Sequence, residues 1–177
     1  AIERLEDKWL EPFQEFKANF QWFLRNKRHI VAGGCQPVYR DDQRVHVCAV
    51  VDEHQMKGLL KRLLDPAEFL SPYGIRSLSK HHSGNPFLFG GRSVEYEPAE
   101  AVSKIKGGNS NWRGPVWFPT SFLMLESLRK LATAYGPQVT VPAPGDTGAP
   151  PMALRAVAED LANRMIRTFT RDTNGRR

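Results

Sequence analysis

From Gly107 to Trp117 the chain reads Gly-Gly-Asn-Ser-Asn-Trp-Arg-Gly-Pro-Val-Trp. Two indoles, one guanidinium and two side-chain amides therefore stand close together among glycine, proline and small residues. The glycines and proline favour turns, the indoles offer flat apolar faces, and the amides and guanidinium offer directed hydrogen bonds. A pyranose calls for that mixture. Its C–H faces lie against indoles, and its hydroxyls must be paired once buried, because an unpaired buried polar group costs about 1–3 kcal/mol. The competing reading makes Trp112 and Trp117 core aromatics before the next helix, with Arg113 capping carbonyls. The clustering favours the ligand site.

Carboxylates are the next requirement for sugar chemistry. Glu95 and Glu97 are two residues apart, so in an extended segment they share a face at roughly 6.5–7 Å. That is near the lower end of the ~6.5–9.5 Å separating acid from base in inverting glycosidases. Any Glu-x-Glu strand meets the condition, and a solvated or salt-bridged face explains it more simply. Cys35 and Cys48 could form one disulfide, but two cysteines in a chain of this size are no disulfide framework, so free buried thiols are expected; with His46 they match no common zinc spacing and lack a nearby fourth ligand. The His81-His82 pair is expected to be solvated.

Three blocks taken together resemble a known family: Phe69-Leu70-Ser71-Pro72-Tyr73-Gly74-Ile75-Arg76-Ser77-Leu78-Ser79, Val94-Glu95-Tyr96-Glu97-Pro98-Ala99-Glu100, and the Trp112-Arg113-Gly114-Pro115-Val116-Trp117 run. In order and spacing they are similar to the bacterial branch of glycoside hydrolase family 63. That branch holds processing α-glucosidases and relatives acting on mannosylglycerate and glucosylglycerate. The likeness is strong from about Asp65 to Lys130. It implies substrate contacts for Trp112, Trp117, Arg113, Asn111, Tyr73 and Arg76, with Asn111 standing where the family often has Tyr. Arg113 has two implied roles, touching substrate or holding a catalytic carboxylate or loop carbonyl. Tyr73 and Arg76 are open between pocket contact and loop anchoring, and Glu97 is expected to pair with Arg76 or Arg113. The family's general acid, an Asp, precedes the matching region and its general base, a Glu, follows it. The resemblance therefore places no catalytic carboxylate in residues 1–177 and makes the rest of a catalytic domain the chain's partner.

Charge and length narrow the alternatives. The formal charge is +6, but Lys17, Arg25, Lys27 and Arg28, then Lys57, Lys61 and Arg62, then Arg164, Arg167, Arg171, Arg176 and Arg177 are spread out, most of them where solvated helix faces and ends would place them. No nucleic-acid-binding signature accompanies them, so neither nucleic acid nor membrane is an expected partner. No apolar run reaches the ~20 residues of a membrane span, and Ala1-Ile2-Glu3-Arg4 has no signal-peptide pattern; a cytoplasmic chain is expected, and the missing initiator Met suggests processing or a piece of something longer. No cofactor motif stands out, and a structural cation is left open.

The elements that must hold these residues follow from periodicity. Phe13, Phe16, Phe20, Phe23 and Leu24 predict a helix from Pro12 to about Lys27, with Ile2, Leu5 and Trp9 in a shorter helix before it. Val45, Val47, Ala49 and Val51 alternate as a short strand or extended loop. Asp52 with Gln55 predicts a capping box for a helix burying Met56, Leu59, Leu60, Leu63 and Leu64. Residues 65–118 read as a long substrate-side loop region, with a hairpin turning at Gly90-Gly91. Pro119 opens a helix burying Phe122, Leu125, Leu128 and Leu131, ended by Gly136-Pro137, and a last helix turns Leu154, Val157, Leu161, Met165 and Phe169 inward. Four main helices make an all-α expectation, and the resemblance makes them part of an (α/α)6 toroid that four helices cannot close. The reading is a single partial catalytic domain over 1–177, part of an inverting α-glucosidase. The alternatives are a non-catalytic carbohydrate-binding module and a basic nucleic-acid or partner-binding domain.

Overall fold

The computed structural model describes residues 2–40, 43–99, 112–145, 148–171 and 175. Strand β1 (Ile2–Glu6) leads into a single helical turn, α1 (Asp7–Leu10). Helices α2 (Gln14–Asn26) and α3 (Arg28–Gly34) follow, then strands β2 (Cys35–Arg40) and β3 (Gln43–Ala49). These three strands form one antiparallel sheet in the order β1-β3-β2. The all-α expectation is therefore wrong, and with it the assignment to an (α/α)6 toroid: the architecture is mixed, with several antiparallel sheets among the helices.

The physical reason lies in the first fifty residues. The alternation of Val45, Val47 and Ala49 is a true period of two, and all three are buried. A strand of that kind needs partners on both edges for its backbone groups, and residues 2–6 and 35–40 supply them. Ile2-Glu3-Arg4-Leu5-Glu6 is read locally as helix, yet pairing with β3 overrides that propensity. One sheet face, carrying Val47 and Ala49, joins the main core, and β1 packs on α5. His46, on the opposite face, meets the Phe20 ring of α2 edge-on at 5.2 Å.

Helix α4 (Glu53–Leu63) begins with the expected capping box: Asp52 accepts from the Gln55 backbone N–H, and Gln55 accepts in return. It buries Met56 and Leu60, whereas Leu59 is exposed. Between α4 and α5 lie two small hairpins, β4 (Leu70–Ser71) with β5 (Gly74–Ile75) and β6 (Phe87–Phe89) with β7 (Arg92–Val94), separated by a 3₁₀ turn at Lys80–His82. The second hairpin turns through Gly90 and Gly91, both at positive φ as a tight turn requires.

Helix α5 (Phe118–Tyr135) carries Pro119 in its first turn and stops at Gly136, φ 84°. Its buried face is Ser121, Leu125, Leu128, Leu131, Ala134 and Tyr135, with Phe122 turned outward. A two-residue ladder of β8 (Thr140–Val141) and β9 (Met152–Ala153) closes the proline-rich connector onto α6 (Leu154–Arg167). The α5–α6 pair, the inner sheet face and α4 share one core, in which Leu128, Leu154, Val157 and Leu161 are almost fully buried. Phe169, expected inside, is exposed and meets Phe118 ring to ring at 5.6 Å.

Candidate functional site

The three sequence blocks, far apart in the chain, are stitched together at one place. Arg76 and Val116 form an antiparallel bridge, and the Ser77 N–H donates to the Pro115 carbonyl at 3.0 Å. The Gly114 N–H donates to Ser77 Oγ at 3.0 Å, and the Glu97 N–H donates to the Arg113 carbonyl at 2.7 Å. Extended segments with no helix of their own satisfy their backbone groups by pairing with each other. Residues 69–77, 96–98 and 112–117 thereby become a small hydrogen-bonded platform on the N-terminus of α5.

Two glycines permit that closeness. Gly114 has φ +127°, and the Tyr96 ring lies where its Cβ would be. Gly74 has φ +139°, and a Cβ there would stand 2.9 Å from both Ser121 Oγ and Val116 Cγ1. Ser121, buried in the first turns of α5, accepts from the Ile75 N–H at 3.2 Å and so docks the first block on the helix.

Each side chain of the platform then has a definite task. Arg113 is buried and ion-pairs with the mostly buried Glu97, which by the resemblance is not one of the family's catalytic carboxylates. Glu97 pairs with an arginine as expected, while Glu95 is exposed; the two do not make a matched pair of glutamates. Arg76 donates through Nε to the Tyr96 hydroxyl at 3.1 Å and through Nη1 to the carbonyls of Pro66 and Glu68 at 3.2 and 3.3 Å, and also to that of Leu70. Behind the first block, Arg164 of α6 donates to the Ser71 carbonyl at 3.0 Å and is itself held by Asp160 at 2.6 Å.

Beside this platform opens a cleft of about 400 Å³. Tyr73, Arg76, Tyr96, Gly114, Val116 and Phe118 line it, with Ser71, Pro98, Pro115, Met165 and Thr168 completing the wall. Tyr73 is half exposed there, and Arg76 combines wall and anchor. Trp112 and Trp117 do not line the cleft. Their rings pair at 4.2 Å between centroids, tilted by 53°, and Trp112 is 65% exposed. Trp117 also closes the start of α5, its carbonyl accepting from the Ser121 N–H and Thr120 Oγ1, each at 3.0 Å. Asn111 lies outside the described residues. Sequence reasoning missed Phe118, Met165 and Thr168 as wall residues. Met165 sits on the inward stripe of α6, where nothing in the sequence separates a core residue from a cleft wall.

Among the described residues no group of three or more His, Cys, Asp or Glu is placed to hold a metal, and no helix is long and apolar enough to cross a membrane. Cys35 and Cys48 are thiols, not a disulfide. His82 is tied by its ring to the Asn85 carbonyl at 3.0 Å.

An uncharacterized protein of Saccharomyces cerevisiae, YMR196W, is 41% identical over 179 residues, covering 98% of this chain and 16% of its own length. A probable mannosyl-oligosaccharide glucosidase of Schizosaccharomyces pombe is 30% identical over 115 residues, covering 65% of this chain and 10% of its own length. The chain thus spans about a sixth or less of the curated relatives it matches. No solved structure matches it. The relationship to glycoside hydrolase family 63 implied by the three blocks holds. Residues 46–176, which contain the whole platform and cleft, match one family, and the chain belongs to it: the mannosylglycerate hydrolase MGH1-like glycoside hydrolase domain.

Proposed function

We propose that this chain is one segment of the catalytic domain of an inverting α-glucosidase and forms a sugar-binding wall of its active site. The observation that carries the reading is the convergence of three separated blocks on one cleft, in a chain of a glycoside hydrolase family. The name of the fission-yeast relative, a mannosyl-oligosaccharide glucosidase, supports an oligosaccharide α-glucoside as substrate; the family description supports a glycosylglycerate as the other candidate.

In this reading Tyr73 and Arg76 meet sugar hydroxyls within the cleft, while the exposed Trp112 face, backed by Trp117 outside the cleft wall, takes the apolar face of a sugar ring. Asn111 adds a further polar contact. Arg113 positions rather than binds, because its charge is spent on Glu97 inside the platform. Glu97, held in that pair, does not line the cleft. The acid and the base come from the rest of the catalytic domain, the acid protonating the leaving oxygen while the base activates water on the opposite face of the ring. What this segment contributes is orientation of the glycone, which raises rate only when both carboxyl groups are present.

The test is hydrolysis of an α-glucoside by the whole protein, followed by NMR of the anomer released first. Release of the β-anomer is expected, and release of the α-anomer would reject inversion. Trp112→Ala should weaken sugar binding roughly tenfold, the value of one aromatic face, while leaving the thermal midpoint within a few degrees. Unchanged binding would remove the indole from the site.

A further inference from the structure

Strands β2 and β3 set Cys35 directly opposite Cys48, and the two sulfurs are 3.3 Å apart. Opposed residues in an antiparallel pair have Cα atoms about 4.5–5.5 Å apart, inside the ~4.4–6.8 Å that a disulfide spans. Closing the sulfurs to the ~2.05 Å of a bond requires side-chain rotation without a change of register. Register is the hard part, and the sheet has already fixed it. Access is unequal: Cys35 is 8% exposed, and Cys48 is the more open of the two.

We propose that Cys35 and Cys48 form a reversible dithiol–disulfide site whose reaction partner is a low-molecular-weight disulfide of the glutathione type. The Cys48 thiolate attacks one sulfur of that disulfide, breaking its S–S bond and releasing one small thiol. The Cys35 sulfur, already at 3.3 Å, then attacks Cys48 Sγ, breaking the mixed disulfide and releasing the second small thiol. The two cysteine protons end on the two released thiols. The protein pair is oxidised by two electrons and the small disulfide is reduced by two.

The bond would staple an edge strand. β2 has β3 on one side only, and its Gln36 accepts from the Tyr135 hydroxyl at the end of α5 at 3.4 Å. Oxidation would therefore hold β2 to the central strand and slow its fraying. The inference is independent of the glycosidase reading.

The whole protein would be equilibrated over a series of reduced-to-oxidised glutathione ratios, quenched in acid, alkylated and digested with trypsin. Arg40 and Arg44 separate the two cysteines into peptides 29–40 and 45–57. In the wild type the two peptides should join through one disulfide in a single transition, and amide exchange across 35–40 should slow in the oxidised form. In Cys35→Ser, the 45–57 peptide should instead carry glutathione. Separate alkylation of both cysteines at every ratio, a mixed disulfide at Cys48 that persists in the wild type, or linkage of either to another cysteine would overturn the proposal. The wild-type cross-link decides the matter alone if the serine variant fails to fold.

Discussion

Arg113 and Gly114 are neighbours with opposite demands. Arg113 turns a charge inward, where its side chain is 6% exposed and faces Glu97 at 15%. Removing one partner of a buried ion pair strands the other and costs about 3–5 kcal/mol. Arg113→Ala is therefore expected to lower stability by about that amount, read from denaturant midpoints, and Glu97→Gln by less because an amide still accepts a hydrogen bond. Equal stability of Arg113→Ala and wild type would show the pair to be incidental. Gly114 instead must lack a side chain. Its φ of +127° is one that other residues rarely adopt, worth about 1–3 kcal/mol of strain, and the Tyr96 ring fills the Cβ position. Gly114→Ala should lose at least that much stability. Adding Tyr96→Ala should recover only the steric share, since the backbone strain remains. Full recovery would place the whole effect in the ring.

At the level of elements, the platform depends on helices that do no chemistry. α5 receives the first block through Ser121, and α6 holds it through Arg164. α4 is set by its own first turn, where Asp52 accepts from Gln55 N–H at 2.7 Å and the Gln55 side chain accepts from Asp52 N–H at 3.0 Å. Asp52→Ala should cost about 1 kcal/mol, visible as a lowered denaturant midpoint, and Asp52→Asn should cost much less because it caps as well. The exposed Phe16 of α2 and Phe13 just before it show the limit of reading an element from its stripe. The stripe forms the helix, but of its apolar residues only Phe20, Phe23 and Leu24 are partly covered.

For the molecule as a whole, Tyr135 lies where the parts meet: at the end of α5, 1% exposed, its hydroxyl donating to Gln36 of β2. Burial pushes its phenol above the ordinary value of 10.0, and the charges of Glu53 and Asp52 at the start of α4 push the same way. The unfolded chain therefore releases this proton at lower pH than the folded one. Above about pH 10 the unfolded state binds fewer protons, so stability falls as pH rises. The contribution is fully present below that pH. Tyr135→Phe, which cannot ionise, should flatten the alkaline fall in thermal midpoint, and an unchanged slope would assign it to other groups.

The sequence by itself determined what depends on short-range pattern. The capping box at Asp52, the glycine turn of the 90–91 hairpin, the apolar stripes of α5 and α6 and the three motif blocks were legible because each is set by residues within a few positions of one another. The sheet was not. β1 carries a helix-like stretch, and β2 contains Pro37, so neither announces itself; they become strands because β3 between them has backbone groups to satisfy. The roles within the motif also waited for the tertiary structure. Trp112, Arg113 and Gly114 are consecutive, yet one faces solvent, one is buried on a carboxylate and one lies beneath a ring. Only the approach of the 94–98 segment, remote in sequence, decided which was which.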